Sequence, residues 1–344
     1  MNKSLQDCKK DMLKGLKEPS MLGYIESMCI EKKRPLGKFN PWAWWVELVR
    51  GCNLSCWHCP VRLFPKNEFH FMEEETWLSL LKIIQECTPY GRLEFGNAGE
   101  PTLHPRLLDY LSVAREVCPN LQMMTYTNGT QIIKGKMSYK ELFDAGLNMI
   151  FVDMYSPFED HKKIAEESGY LWYHQDNKPK DAPSIFTNHR NPNIHIIMLS
   201  ENPSNWSSRK TGRGAFSTFL NTLDWSMANK YDIFPVDIPP KRGCDIPTKF
   251  PSVNFDGTYP FCCNDFVRNT AGRFGDVFSG TEGFLNFWIG NYMQVTRKLL
   301  YEGDRHLHEF CKMCNQTTPR CDIRHWKEKE LFNNYWTGKE WKEI

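Results

Sequence analysis

Two periods of apolar residues alternate along the middle of this chain, and the alternation predicts strands followed by helices. WVELV (45–49) is an apolar run of strand length, and such short runs suit strands buried on both faces. Trp77, Leu80, Leu81, Ile84 and Cys87 then recur at helical spacing, which predicts one apolar helix face turned to a core. LEF (93–95) predicts a second strand that ends in the glycine-containing loop GNAGEP. Leu107, Leu111, Ala114 and Cys118 mark a second helix, stopped at Pro119. QMMTYT (122–127) predicts a third strand closed by the turn Asn128-Gly129, and MIFVDM (149–154) a fourth. IHIIML (194–199) predicts a fifth and YDIFPV (231–236) a sixth, although Pro235 is an awkward resident of a central strand. Residues 157–193, rich in Pro, Asn and His, read as an insertion or substrate loop. Strands that alternate with helices imply a parallel α/β sheet.

Composition adds boundaries to this picture. The 344 residues exceed a typical single domain but suit a barrel with an appendage. Residues 1–40 are a charged, weakly patterned lead-in. Beyond PPKRG (239–243) the text changes to cysteines, aromatics and turn residues, which sets a domain boundary near 240. The expected units are a lead-in (1–40), a barrel (41–240), a small cysteine-bearing domain (241–330) and a tail (331–344). A net charge of +2 gives no bulk field for nucleic acid or an anionic membrane. No apolar run reaches membrane-spanning length. The start lacks the apolar stretch of a secretion signal, so the expected compartment is the cytoplasm.

Thirteen cysteines change the picture most. In a reducing compartment, clustered cysteines point to metal rather than disulfides. Cys52, Cys56 and Cys59 stand as C-x3-C-x2-C directly after the first strand. Three thiolates from one loop can hold three corners of a 4Fe–4S cube. The fourth iron is then left open for a small chelating molecule, as catalytic metal sites are. A zinc site remains an alternative for the spacing taken alone. Cys87 and Cys118 fall on apolar helix faces and read as core fillers.

The stretch VELVRGCNLSCWHCP (46–60) resembles the signature of the radical S-adenosylmethionine (SAM) superfamily. That resemblance implies a partial (β/α)6 TIM-like barrel. It also implies that SAM chelates the open iron through its amino and carboxylate groups and is reductively cleaved to a 5′-deoxyadenosyl radical. By the same resemblance His58 lies near the adenine. In FGNAGEPTLHP (95–105), Gly99 and Glu100 match the family's Gly-Gly-Glu element, which receives the amino group of SAM, and Ala98 replaces its first glycine. Thr127 and Asn128, at the end of the third strand, would lie beside the cofactor. Asp153 and Ser156 would approach the ribose. Arg213, in RKTGRGAF (209–216), would meet the carboxylate. Each of these motifs has an ordinary structural reading as well, as a turn, a helix start or a solvated arginine.

The C-terminal pattern Cys244-x12-Gly257-x4-Cys262 resembles the opening of the SPASM and twitch extensions of these enzymes. There VNFDGTYPFCCND (253–265) would form a β-hairpin around Asp256-Gly257. The resemblance implies one auxiliary 4Fe–4S cluster on Cys244, Cys262, Cys311 and Cys314, with Cys263 and Cys321 as alternates. A zinc ribbon on the same thiolates is the competing reading.

The expected activity is hydrogen abstraction from a bound substrate, foremost a peptide or protein side chain that is oxidised or modified. Dehydrogenation or epimerisation of a small metabolite such as an aminosugar is the alternative. A zinc-stabilised binding protein without catalysis is the alternative from another class. An electron donor such as flavodoxin or ferredoxin is the expected partner.

Overall fold

A computed structural model describes residues 43–55, 59, 61, 64–65, 68–88, 91–153, 155, 157–173, 184–188, 191–198, 244, 247, 250–263, 265, 268, 270–313, 334–336 and 341–343. The expected sixth strand (231–236) and the boundary near 240 lie outside the described residues.

The first strand, β1 (Ala43–Val46), buries Ala43, Trp44 and Val46 completely. It lies between two parallel neighbours, so both of its faces need apolar side chains. The chain then leaves the sheet. Two short strands, β2 (Val49–Arg50) and β3 (His70–Phe71), pair antiparallel and tie together the two ends of the cysteine loop. Helix α1 (Glu74–Cys87) opens with Glu74 and Glu75 in its first turn, where negative charge favours the helix dipole. It buries each of the five residues whose spacing predicts it. β4 (Gly91–Phe95), α2 (Leu107–Val117) and β5 (Leu121–Thr127) follow. Next come α3 (Thr130–Ile133), α4 (Tyr139–Asp144) and β6 (Met149–Val152).

The expected loop over 157–193 is corrected here. It contains helix α5 (Phe158–Glu167) and strands β7 (Leu171–Tyr173) and β8 (Ser184–Asn188). Pro157 sits just before the helix, and Glu159 and Asp160 occupy its first turn, a strong start signal that composition concealed. β8 pairs antiparallel with β9 (Asn191–Met198), and β7 with β8, so this segment widens the sheet.

The last third of the chain returns to the other edge. β10 (Ser252–Val253) pairs parallel with β1, in the register Trp45↔Ser252. The sheet order is therefore β10-β1-β4-β5-β6-β9-β8-β7, with the run from β10 to β9 parallel. Asp256-Gly257 does form a tight reversal, with Gly257 N–H donating to Asn254 O at 2.9 Å and Asn254 N–H to Thr258 O at 3.0 Å. The strand leading into that reversal is part of the barrel sheet rather than of a separate hairpin. Helices α6 (Gly280–Trp288) and α7 (Asn291–Glu302) follow, and β11 (Asn334–Trp336) pairs with β12 (Trp341–Glu343). α6 packs on the barrel, placing the ring of Phe284 4.7 Å from that of Trp44. One apolar core therefore runs from β1 through α1 into the C-terminal third.

Candidate active site at the cysteine loop

Parallel strands deliver their C-terminal ends to one rim of the sheet, where βα loops build sites. Four segments with chemical potential reach that rim. They are the cysteine loop after β2, the GNAGEP loop after β4, Asn128-Gly129 after β5 and Asp153 after β6.

The GNAGEP loop is held against the cysteine loop by main-chain contact. Gly51 and Gly99 form an isolated parallel bridge, and Glu100 N–H donates to Gly51 O at 3.0 Å. A Cβ on Gly99 would stand 1.8 Å from the carbonyl oxygen of Val49. The absence of a Cβ at Gly99 therefore lets this loop approach the backbone that leads into the cysteines. Asn97, in the same loop, adopts φ 81°, a left-handed conformation that asparagine tolerates better than most residues.

Glu100 is buried, and all its bonds run to this rim. Oε1 accepts from Thr102 N–H at 3.1 Å, Thr102 Oγ1 at 2.6 Å and Thr127 Oγ1 at 2.7 Å. Oε2 accepts from Asn128 N–H at 2.7 Å. Burial pushes the carboxyl pKa up, and these donors hold it down in part. Oε1 is saturated, whereas Oε2 has one donor and capacity for a second.

Asn128 connects that carboxylate to the first cysteine. Its Nδ2 donates to Cys52 Sγ at 3.5 Å and to Asn53 Oδ1 at 3.0 Å. Its Oδ1 accepts from Thr130 N–H at 3.0 Å and Thr130 Oγ1 at 2.7 Å. Asn53 Nδ2 in turn donates to Thr130 Oγ1 at 2.6 Å. Leu54 N–H also faces Cys52 Sγ, at 3.4 Å. Cys52 and Cys59 are both partly exposed. Cys56 and His58 lie outside the described residues, as do Ser156, Arg213, Cys314 and Cys321.

The structure thus gathers Cys52, Gly99, Glu100, Thr127 and Asn128. Asp153 follows β6 on the same rim, its N–H bonded to Thr127 O at 2.7 Å. Sequence reading missed Asn53 and Thr130, two polar neighbours of residues it did select. It also passed over Glu47, the one charged residue in WVELV. Glu47 is fully buried, with Arg50 Nη1 at 3.4 Å and Phe255 N–H donating to Oε2 at 3.2 Å. Burial raises its pKa to about 7, against the pull of Arg50.

In the C-terminal third, Cys244, Cys263 and Cys311 are buried and Cys262 is half-buried, with Cys262 Sγ 4.0 Å from Cys263 Sγ. Among the described residues no three metal-ligating side chains converge on one point. Cys87 and Cys118 sit in the core, where burial pushes each thiol up to about 12.

Residues 46–180 match the family model described as the radical SAM superfamily. The chain carries a radical SAM domain across this segment. It is accordingly an enzyme that uses S-adenosylmethionine and a 4Fe–4S cluster. Among curated proteins it is 22% identical over 273 residues to the S-adenosyl-L-methionine-dependent 2-deoxy-scyllo-inosamine dehydrogenase of Niallia circulans. That match takes in 79% of this chain and 92% of the relative. It is 29% identical over 111 residues to the tungsten-containing aldehyde ferredoxin oxidoreductase cofactor-modifying protein of Pyrococcus furiosus, across 32% and 30% of the two chains. Among solved structures, BtrN in complex with AdoMet and 2-DOIA superposes with TM-score 0.58 at 18% identity, over 81% of this chain and 95% of that one. This likeness supports a radical SAM barrel as the fold.

The radical SAM rim offers the donors its cofactors need. Cys52, half-exposed, is linked through Asn128 to a buried carboxylate with an open acceptor site, so soft sulfur and a hard anion share one neighbour. Thiolates suit iron–sulfur clusters and a carboxylate suits an ammonium group. Among the described residues no helix is long and apolar enough to cross a membrane.

Proposed function

We propose that this enzyme dehydrogenates a hydroxyl-bearing carbon of a small, polar, amine-containing ring compound. The supporting observation is the likeness to an aminocyclitol dehydrogenase along 92% of that relative's length. A peptide side chain, the foremost expectation from sequence, is the second reading, and one assay separates them. Cys52, Cys56 and Cys59 hold the SAM-binding cluster. Cys244, Cys262, Cys311 and Cys314 hold an auxiliary 4Fe–4S cluster, with Cys263 and Cys321 as alternates. When bound, SAM and its cluster supply a hydrogen-atom acceptor, and an auxiliary cluster supplies a sink for the second electron.

The residues of the chain position and polarise. Glu100 Oε2 receives an ammonium group, and the attraction is strong because the carboxylate is buried. Thr102 and Thr127 hold that carboxylate still through Oε1. Asp153 and Ser156 meet the ribose, His58 the adenine and Arg213 the cofactor carboxylate. A flavodoxin or ferredoxin supplies electrons, in the cytoplasm.

The test is a substrate panel of cyclitols, aminosugars and serine- or cysteine-bearing peptides, given to anaerobically reconstituted full-length protein with dithionite and SAM. Deuterium at the carbinol carbon of a ring compound should appear in 5′-deoxyadenosine alongside a new carbonyl. Transfer from a peptide β-carbon, with none from any ring alcohol, would replace this proposal by the peptide reading.

A further inference from the structure

The side chain of Asn128 has no bonding capacity left for a cofactor. A primary amide has two N–H donors and one oxygen with two lone pairs. The oxygen accepts from Thr130 N–H and Oγ1, while the two N–H groups face Asn53 Oδ1 and Cys52 Sγ. The direction of the amide follows from chemistry, since a backbone N–H can only donate. Thr130 N–H therefore fixes the oxygen of Asn128 on its side and turns the NH2 group towards the sulfur.

A closed cycle holds that orientation. Asn53 Nδ2 donates to Thr130 Oγ1, Thr130 Oγ1 to Asn128 Oδ1, and Asn128 Nδ2 back to Asn53 Oδ1. The backbone N–H of Asn128 is anchored separately, on Glu100 Oε2. Among the described residues Cys52 Sγ thus receives N–H donors from Leu54 and from Asn128, the second from a strand end 76 residues away in sequence.

We infer that Asn128 is a positioning residue that tunes the cluster through Cys52, rather than a contact to S-adenosylmethionine. Hydrogen bonds to a ligating sulfur stabilise the more negative, reduced state and raise the reduction potential. This cluster must accept an electron before SAM can be cleaved, so the Asn128 donor makes that step easier. The inference rests on the reading of Cys52 as a cluster ligand.

The test is the midpoint potential of the SAM-binding cluster, from EPR-monitored redox titration of the reconstituted full-length protein. Iron content and the SAM-induced change in the EPR spectrum are measured alongside. The variants are Asn128→Asp, which keeps the acceptors facing Thr130, and Asn128→Ser, which is neutral and too short to reach the sulfur. Both should load iron, keep the SAM-induced spectral change and move the midpoint negative. At fixed poise Asn128→Ser should hold about threefold less reduced cluster (each tenfold is about 59 mV for one electron). A shift in Asn128→Asp alone assigns the effect to the added charge and overturns the inference. An unmoved potential with loss of the SAM-induced change makes Asn128 a cofactor contact and also overturns it. Should either variant fail to load iron, Asn53→Ala supplies the same readout, because it breaks the cycle and spares Asn128. Cys52→Ala separates the underlying reading, since it must abolish the SAM-responsive signal; survival of that signal removes Cys52 from the ligand set.

Discussion

Replacing Gly99 with alanine should separate the two loops that build the rim. The new Cβ would sit 1.8 Å from Val49 O, 2.7 Å from Val49 C and 2.9 Å from Gly51 O, all main-chain atoms. Reaching even 3.0 Å from Val49 O requires the strands to part by about 1.2 Å, more than a well-packed core yields freely. That movement breaks the Glu100 N–H to Gly51 O bond, a loss of about 1 kcal/mol. Overpacking adds roughly 1–3 kcal/mol, for a total near 2–4 kcal/mol. Gly96→Ala is the matched control, because its Cβ would meet only the Tyr126 side chain, at 3.5 Å. Urea unfolding with an unchanged slope reads the difference, and iron content reports whether the cysteine loop has moved. If Gly99→Ala matches Gly96→Ala in both midpoint and iron content, close contact at Gly99 does not hold the two loops together.

Other outcomes follow from the same geometry. The native pKa of Glu47, about 7, exceeds the unfolded value of 4.5, so the native state holds an extra proton between them. Stability should therefore fall as pH rises from about 4.5 to 7, by roughly 3 kcal/mol, and Glu47→Gln should flatten that slope in pH-dependent urea titrations. Glu100→Gln sets an NH2 group against one of four donors, which should cost about 1–3 kcal/mol. It should also lower 5′-deoxyadenosine formation at least about tenfold by the lost ammonium attraction; full activity would remove Glu100 from the cofactor site. Gly129 has φ 69° and would place a Cβ 2.5 Å from His161 Cε1, so Gly129→Ala should lower the melting temperature. In a His161→Ala background the same change should cost less, as a double-mutant cycle would measure.

The sequence carried the strand-and-helix order well where one period dominated. Trp77, Leu80, Leu81, Ile84 and Cys87 fall on the buried face their spacing demands, and QMMTYT is the interior strand β5. It misread 157–193 because composition was weighed there instead of the Pro157 and Glu159-Asp160 start signal. At the site, Cys52 could be chosen from the spacing of its loop, and Glu100 and Asn128 from the resemblance of their loops to family motifs. Their mutual wiring was not legible. That Gly99 serves the backbone of Val49, or that Thr130 fixes the amide of Asn128, depends on which loops touch, and local sequence contains no term for that. Glu47 was overlooked for the same reason, since the donor to its Oε2 lies 208 residues further along the chain.

The pairing of β10 with β1 gives this enzyme a late seam. The strand that launches the cysteine loop leaves the ribosome with one flank bare, and its missing neighbour arrives only with the final third of the polypeptide. Until then the edge of β1 and the indole of Trp44, later shielded by Phe284, face water. The sheet that carries the cysteine loop is therefore completed only by the final third of the chain, which covers the open edge of β1.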